Sequence, residues 1–407
     1  VMTSPTYSNR LKNFLFSNTG PGILLMACVV ISLTVANSPL GAGFEKFLDK
    51  EIGYESQALH LRYPIILWIN DGLMAIFFLL VGLEIKRELM DGELSSARKA
   101  ALPVFAALGG VVMPAAIYAL LNHGTETASG WAIPMATDIA FALAIITLLG
   151  KKVPITLKIF LAALAIVDDL MAILIIAIFY SGDLHYDYLM YAALLVAGLF
   201  TLNRLGVKNT AAYLVPAIFI WYFIHHSGIH ATIAGVLTAF TIPSKSNGNA
   251  ESPLLKLEHA LSRPVNLLIM PIFALANTNI TFVEGMFDGL ISPLGLGIVL
   301  GLFIGKPLGI FLLSWISVKL GICAMPSHAG WKHLLGVGML AGIGFTMSIF
   351  IALLSFSGEE LLTAEAKFSV LVASVISGVV GSIFLSSISK KTDNKSASTN
   401  VEIAKES

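Results

Sequence analysis

Residues 160–180 read FLAALAIVDDLMAILIIAIFY. A helix that crosses a bilayer needs about 20 mostly apolar residues, and this stretch is long enough. It carries Asp168 and Asp169 near its middle. One aspartate at the centre of a membrane helix costs about 2.5–3.5 kcal/mol on the insertion scale. Two in succession need water, a counter-charge or a bound cation to offset them.

The apolar character is general. Of 407 residues, 56% are hydrophobic and 12% are charged, where a soluble chain has about 25% charged residues. Apolar runs recur from residue 20 to residue 388. The expected class is an all-α polytopic membrane protein, because a helix satisfies its own backbone polar groups in lipid. The formal net charge is zero and gives no sign of a nucleic-acid partner. Cys28 and Cys323 have no metal-ligand spacing and read as two small apolar residues. Arg10 and Lys12 precede the apolar run Gly22 to Ala36, as in a signal peptide, but no A-x-A cleavage site follows. That run is expected to stay as the first span.

Twelve spans are expected, at 20–37, 64–84, 100–121, 131–149, 156–180, 186–203, 210–225, 228–243, 262–280, 291–317, 332–355 and 367–388. With the N-terminus placed inside, about 20 of the 25 Lys and Arg residues fall on the inner side. They include Lys86, Arg87, Arg98, Lys99, Lys151, Lys152, Arg204 and Lys208. Lys46, Lys50, Arg62 and Lys367 fall outside, an asymmetry that predicts both termini in the cytoplasm. The connections are short, so residues 1–388 form a single transmembrane domain. The outer loop Asn37 to Tyr63 reads as a solvated face, the inner stretch 244–253 as a linker, and the polar tail 389–407 as disordered.

Sorting the charges leaves few deep in the spans: Asp71, Asp138, Asp168, Asp169 and Lys306, with His230 close in depth. Intramembrane ionisable residues mark ion or proton paths, and the alternative is buried pairs that fix helix packing. Asp71 lies near a span end and fits either reading, as a path residue or a packing one. In WAIPMATDIAFALA, Pro134 and Thr137-Asp138 fall where the midplane should be. Proline removes a donor and disfavours helix before it, so a break is expected there. The span at 332–355 carries Gly336, Gly338, Gly342 and Gly344, which serve a second break or close helix packing.

These two interrupted segments are the middle members of the three-span groups 3-4-5 and 10-11-12. An odd group repeated later inserts with opposite orientation, giving inverted repeats whose two discontinuous helices cross at mid-membrane. Half-helix N-termini there carry partial positive charge and C-termini partial negative charge. Asp138 is suited to the first and Lys306 to the second. Asp168 and Asp169 then offer hard oxygen ligands to a small cation, with the Thr137 hydroxyl. Neighbours on a helix point about 100° apart, so the two aspartates face different surroundings. A carboxylate site that holds either a proton or a metal cation is the minimum for antiport.

The segments GLEIKREL, ATDIAFALA, LAALAIVDDLMAI, GIHATIAG, GLFIGKPLGI and GIGFTMSIFI resemble those of the NhaA sodium/proton antiporters. They lie across about residues 70–355 in the family's order. The inverted-repeat rule was itself drawn partly from this family, so the two inferences are not independent. The resemblance implies a bacterial inner-membrane exporter of Na⁺ or Li⁺ in exchange for H⁺, electrogenic and activated at alkaline pH. It implies that Asp168 and Asp169 bind the cation and the protons. Thr137 and Asp138 are implied to lie at the first break, and Lys306 to face the site and pair with Asp168. It also implies pH regulation through Glu84, Arg87, Glu88, Glu258 and His259, although Ser262 stands where the family pattern has another histidine. The plainer reading of that group is a solvated helix end, and His230 has a regulatory and a packing reading. A homodimer through the loop around residues 43–62 is a further implication, and no cofactor is implied.

Other classes fit less well. An intramembrane aspartyl protease needs a GxGD-type context that Asp138 and the 168–169 pair lack, and no Walker A or H-E-x-x-H motif is present. The closest rival is a K⁺/H⁺ exchanger, since size selectivity rests on cavity geometry.

Overall fold

The computed structural model describes residues 19–56, 60–150, 153–245, 251–282, 286–327 and 329–406, with side chains as far as 388. Arg10, Lys12, the Lys151–Lys152 pair and the middle of the 244–253 linker, residues 246–250, lie outside the described residues. In chain order the elements begin with α1 (Gly20–Ala36), α2 (Gly41–Leu48), β1 (Glu51–Glu55), β2 (His60–Pro64), α3 (Ile65–Asp91) and α4 (Ala97–Leu121). A 3-10 helix, Glu126–Met135, leads to α5 (Ile139–Leu148), and α6 (Ile155–Phe179), α7 (Tyr186–Arg204), α8 (Ala211–His226) and α9 (Ile233–Thr241) follow. The chain closes with α10 (Pro253–Asn277), α11 (Met286–Gly289), α12 (Pro293–Lys319), α13 (Trp331–Ala341), α14 (Phe345–Ser355) and α15 (Glu360–Glu406).

Among the described residues six helices are long and apolar enough to cross a membrane, and nine if each bent pair is one span. The bent pairs are α1 with α2 at 111°, the 3-10 helix with α5 at 42°, and α13 with α14 at 49°. The two interruptions expected from Pro134 and from the glycines are therefore present. Helices α8 and α9, at 16 and 9 residues, are shorter than a straight crossing of about 20 residues. Gly228 cuts this region: its φ of +86° suits glycine and turns the chain between them.

The outer loop is solvent-exposed, as expected of a solvated face, and it and the tail carry regular structure that the sequence did not signal. The loop 37–63 holds α2 and the antiparallel hairpin β1–β2, in which Gly53 opposes Arg62 and Glu51 opposes Pro64. Its register is tied by an Arg62–Glu51 ion pair at 2.9 Å. The backbone of α15 runs on to Glu406, since 389–406 contains no glycine or proline to end it.

Three helices contain a single π turn, at Trp68–Leu73, Val265–Ile269 and Gly301–Gly305. The last two have a simple cause. Pro271 and Pro307 have no N–H for the turn before them, so the ladder skips a residue.

The chain divides into two compact units. One comprises the start of the chain through Gly22, Ala97–Asp168 and Gly285–Ser407. In it α4 and α12 meet backbone to backbone at Gly109 and Gly309, where a methyl on Gly109 would stand 2.5 Å from the Gly309 carbonyl carbon. Such contact between small residues is how membrane helices gain packing without a hydrophobic driving force. Helix α13 packs on α12 and α15, and α14 packs on α15 and the 3-10 helix.

The other unit comprises Ile23–Ser96 and Asp169–Glu284. Its core gathers Leu79 and Leu83 of α3, Leu199 of α7, Tyr213, Ile220 and Ile224 of α8, Ala239 of α9 and Leu254 of α10. Helices α3 and α9 lie so close that a methyl on Gly82 would stand 2.7 Å from the Ala239 methyl. The Lys86 ammonium donates to the Phe240 and Ile242 carbonyls at 2.7 and 2.5 Å, closing the C-terminus of α9.

Candidate cation and proton site

The break after Met135 leaves residues 136–138 extended, and the break after Ala341 leaves Gly342–Ile343–Gly344 outside any helix. Both lie in the first unit, and they bind each other. The Asp138 N–H donates to the Ile343 carbonyl at 2.7 Å. The Thr137 hydroxyl donates to the Ala341 carbonyl at 2.9 Å.

Asp138 is the N-cap of α5, accepting from the Phe141 N–H at 3.0 Å. Its second oxygen accepts from the Thr346 N–H at 3.1 Å and from the Thr346 hydroxyl. One carboxylate thus meets the N-termini of two half-helices, α5 and α14. This is where the macrodipoles favour a negative charge.

Lys306, immediately after the π turn of α12, is fully buried. Its ammonium donates to the Met135 carbonyl at the C-terminus of the 3-10 helix, and to Asp168 Oδ2 at 2.6 Å. Neither side chain of the Lys306–Asp168 pair has any exposure. The Thr137 hydroxyl also donates to Asp168 Oδ2, at 2.6 Å. A hydroxyl has one proton, so it serves Asp168 or the Ala341 carbonyl, one at a time.

Asp168 Oδ1 is buried with no hydrogen-bond partner among the described residues. An anionic oxygen left bare in a dry interior is costly. Asp169, the next residue of α6, belongs to the second unit and is 2% exposed. Among the described residues no group of three or more His, Cys, Asp or Glu is set to hold a metal ion. A transported cation would instead draw on hydroxyl and carbonyl oxygens beside one or two carboxylates.

The remaining candidates fall in the second unit, in two separate places. On α3, Arg87 joins Glu88 at 2.6 Å and Glu258 of α10 at 3.0 Å. Glu84 lies one turn earlier on α3. His259 stands apart, exposed, 3.6 Å from Glu251. Asp71, in the π turn of α3, is 3.1 Å from His225 Nδ1 and 3.6 Å from His230 Nε2. Its backbone carbonyl accepts from the Trp221 indole at 3.2 Å.

Sequence reasoning brought out Thr137, Asp138, Asp168 and Lys306, and the structure gathers these four. It missed the Thr346 hydroxyl, the Met135 and Ala341 carbonyls, and His225 as a partner of Asp71. The Gly-Phe-Thr that follows the second break was a usable signal for Thr346. Nothing local signals His225, which is 154 residues from Asp71.

A family model described as Na⁺/H⁺ antiporter 1 matches residues 12–385. The Na⁺/H⁺ antiporter NhaA 2 of Flavobacterium johnsoniae is 62% identical over 379 residues, 93% of this chain and 92% of its own. The NhaA antiporter of Flavobacterium psychrophilum is 50% identical over 381 residues, covering 94% and 97%. That of Bordetella parapertussis is 50% identical over 387 residues, covering 93% and 97%.

Proposed function

Because the chain belongs to the Na⁺/H⁺ antiporter 1 family, a family of transporters and not of enzymes, we propose that it exports Na⁺ or Li⁺ in exchange for H⁺ by alternating access. The observation that carries the reading is Asp168, buried with Lys306 on one oxygen and, among the described residues, no hydrogen-bond partner on the other. Asp168 and its chain neighbour Asp169 supply carboxylate oxygens to the cation. The Thr137 hydroxyl adds a neutral ligand.

Charge balance supplies the coupling. With Lys306 protonated, its ammonium neutralises Asp168, and a proton on Asp169 leaves the group neutral. An arriving Na⁺ needs both carboxylates anionic and repels the ammonium. It therefore displaces a proton from Asp169 and another from Lys306. Two protons for one Na⁺ moves net charge, so the exchange is electrogenic. Asp138 holds the two half-helix N-termini and keeps their positive ends off the cation, a structural counter-charge rather than a direct ligand.

The same reading takes in the finer architecture. Counting α7, α8 and α9 as spans gives twelve crossings. The two broken helices are the matching members of inverted repeats, with both termini in the cytoplasm of a bacterial cell and the inner membrane as the site of action. The Arg87–Glu88–Glu258 group on α3 and α10 sets the alkaline activation, together with Glu84 and His259. The Asp71–His225–His230 group lies on the outer path. The hairpin β1–β2 joins two copies into a homodimer.

Proteoliposomes or everted vesicles carrying a pH dye test the central claim. Addition of Na⁺ at alkaline pH should dissipate an imposed ΔpH. With folded protein in the membrane, a ΔpH that survives Na⁺ and Li⁺ but collapses with K⁺ would reassign the substrate. One that survives all three would end the antiport reading.

A further inference from the structure

The N-terminus of α14 leaves several N–H groups without partners inside its own helix. Thr346 N–H goes to Asp138. The N–H before it, that of Phe345, goes instead to the hydroxyl of Ser374 on α15, at 3.1 Å. Ser374 is 8% exposed and Phe345 is 3% exposed, so water has little access to this contact. Three residues further along α15, on the same helical face, Ser377 is fully buried. A methyl on Gly342, in the second break, would stand 2.9 Å from its hydroxyl. The last helix thus presents two hydroxyls to the second break, one bound to the N-terminus of α14 and the other beside Gly342.

We propose that Ser374 is a positioning residue for cation binding, fixing the N-terminus of α14 so that Asp138 receives Thr346 and no further donor. Asp138 already accepts from Phe141 N–H, Thr346 N–H and the Thr346 hydroxyl. Without an acceptor at position 374, the Phe345 N–H either stays bare or turns to Asp138, a carboxylate whose oxygens are already taken up by donors from both half-helices. Both outcomes leave the break more positive than before. A buried N–H without a partner adds its partial charge at the end of a half-helix dipole, and in a dry interior that charge is poorly screened. A cation arriving nearby is held less tightly. The reaction path for protons through Asp168 and Lys306 is untouched, so the effect falls on affinity more than on maximal rate.

This inference rests on the antiport reading, and the test separates the two. Wild-type, Ser374→Ala, Ser374→Thr and Ser374→Cys proteins are reconstituted at equal amounts, and the Na⁺ dependence of exchange is measured. One neutral hydrogen bond is worth about 0.5–1.5 kcal/mol, so Ser374→Ala should raise the KM for Na⁺ by about two- to tenfold. The maximal rate should stay within about twofold. Threonine retains the hydroxyl and should restore the KM. Cysteine is close in size but a weak acceptor, and should give an intermediate KM even where alanine fails to fold. A wild-type KM in the alanine or cysteine variant would overturn the proposal, as would a threonine variant no better than alanine. If wild-type protein shows no Na⁺-dependent exchange, the antiport reading falls first.

Discussion

Replacing Asp168 by Asn and Lys306 by Met, singly and together, tests whether the buried pair is coupled as its geometry requires. The two charges sit 2.6 Å apart with no exposed side-chain surface. Removing either partner strands the other in a dry interior, which costs about 3–5 kcal/mol. In Asp168→Asn the ammonium keeps the Met135 carbonyl and faces a neutral amide in place of a carboxylate. In Lys306→Met the carboxylate keeps only the Thr137 hydroxyl, and the Met135 carbonyl loses its donor. The double variant strands no charge. Its main defect is the Met135 carbonyl, an unsatisfied buried acceptor worth about 1–3 kcal/mol. Two independent losses of about 3–5 kcal/mol would sum to about 6–10, so the double variant should recover at least about 3 kcal/mol of stability over that sum. Equilibrium unfolding in mixed detergent micelles, followed by tryptophan fluorescence, gives the cycle. All three variants should be inactive in exchange, because each loses a group that changes its proton or cation load. A double variant whose destabilisation equals the sum of the singles would refute the coupling. The Asp168–Lys306 contact would then be mere proximity.

Three further outcomes are expected. Asp169→Asn should abolish Na⁺-driven ΔpH dissipation while leaving the amount of folded protein unchanged; normal turnover would remove Asp169 from the mechanism. Arg87→Gln and Glu258→Gln break the same ion pair, held at 3.0 Å. Each should move the pH of half-maximal exchange, and the double variant should move it no further than the larger single effect. Additive shifts would show that the two act separately. Gly309→Ala drives a methyl into the backbone of α4 and should destabilise the first unit by about 1–3 kcal/mol, the usual range for overpacking. Gly43→Ala, whose new methyl would meet nothing within 4 Å, is the control. Equal thermal stabilities for these two variants would mean that α4 and α12 are not in the close contact described.

What could be read from the residues, and what could not, divides along chemistry and distance. The first break was legible because Pro134 and Asp138 are both out of place in an apolar helix. Lys306 was legible because burying an ammonium needs a reason, and it is the lone Lys or Arg in mid-span. Their partners were not, because pairing joins residues far apart in the chain. Thr346 reaches Asp138 across 208 positions, and Lys306 reaches Met135 across 171. The hairpin escaped notice since both faces of β1 are exposed and no apolar alternation marks it. The separation of α8 from α9 was legible, since the spans expected at 210–225 and 228–243 part where the backbone turns, while the shortness of both helices was not. The tail was read from its polarity, while its helix follows from the lack of any residue that would stop one.

The Thr137 hydroxyl lies within reach of two acceptors, Asp168 Oδ2 at 2.6 Å and the Ala341 carbonyl at 2.9 Å. A proton shared in this way makes the release of Asp168 a hand-over rather than a rupture. On the proposed antiport reading, a carboxylate that turned toward a cation would pass the hydroxyl to the carbonyl, and the number of hydrogen bonds would stay the same. When the cation left, the hydroxyl would swing back. The ionised carboxylate is the stronger acceptor of the two, so the side on which the hydroxyl rests registers the state of the carboxylate at the Ala341 carbonyl, the last peptide before the second break. A threonine there is a coupling joint: it lets one buried charge change its partner while the two broken helices stay tied.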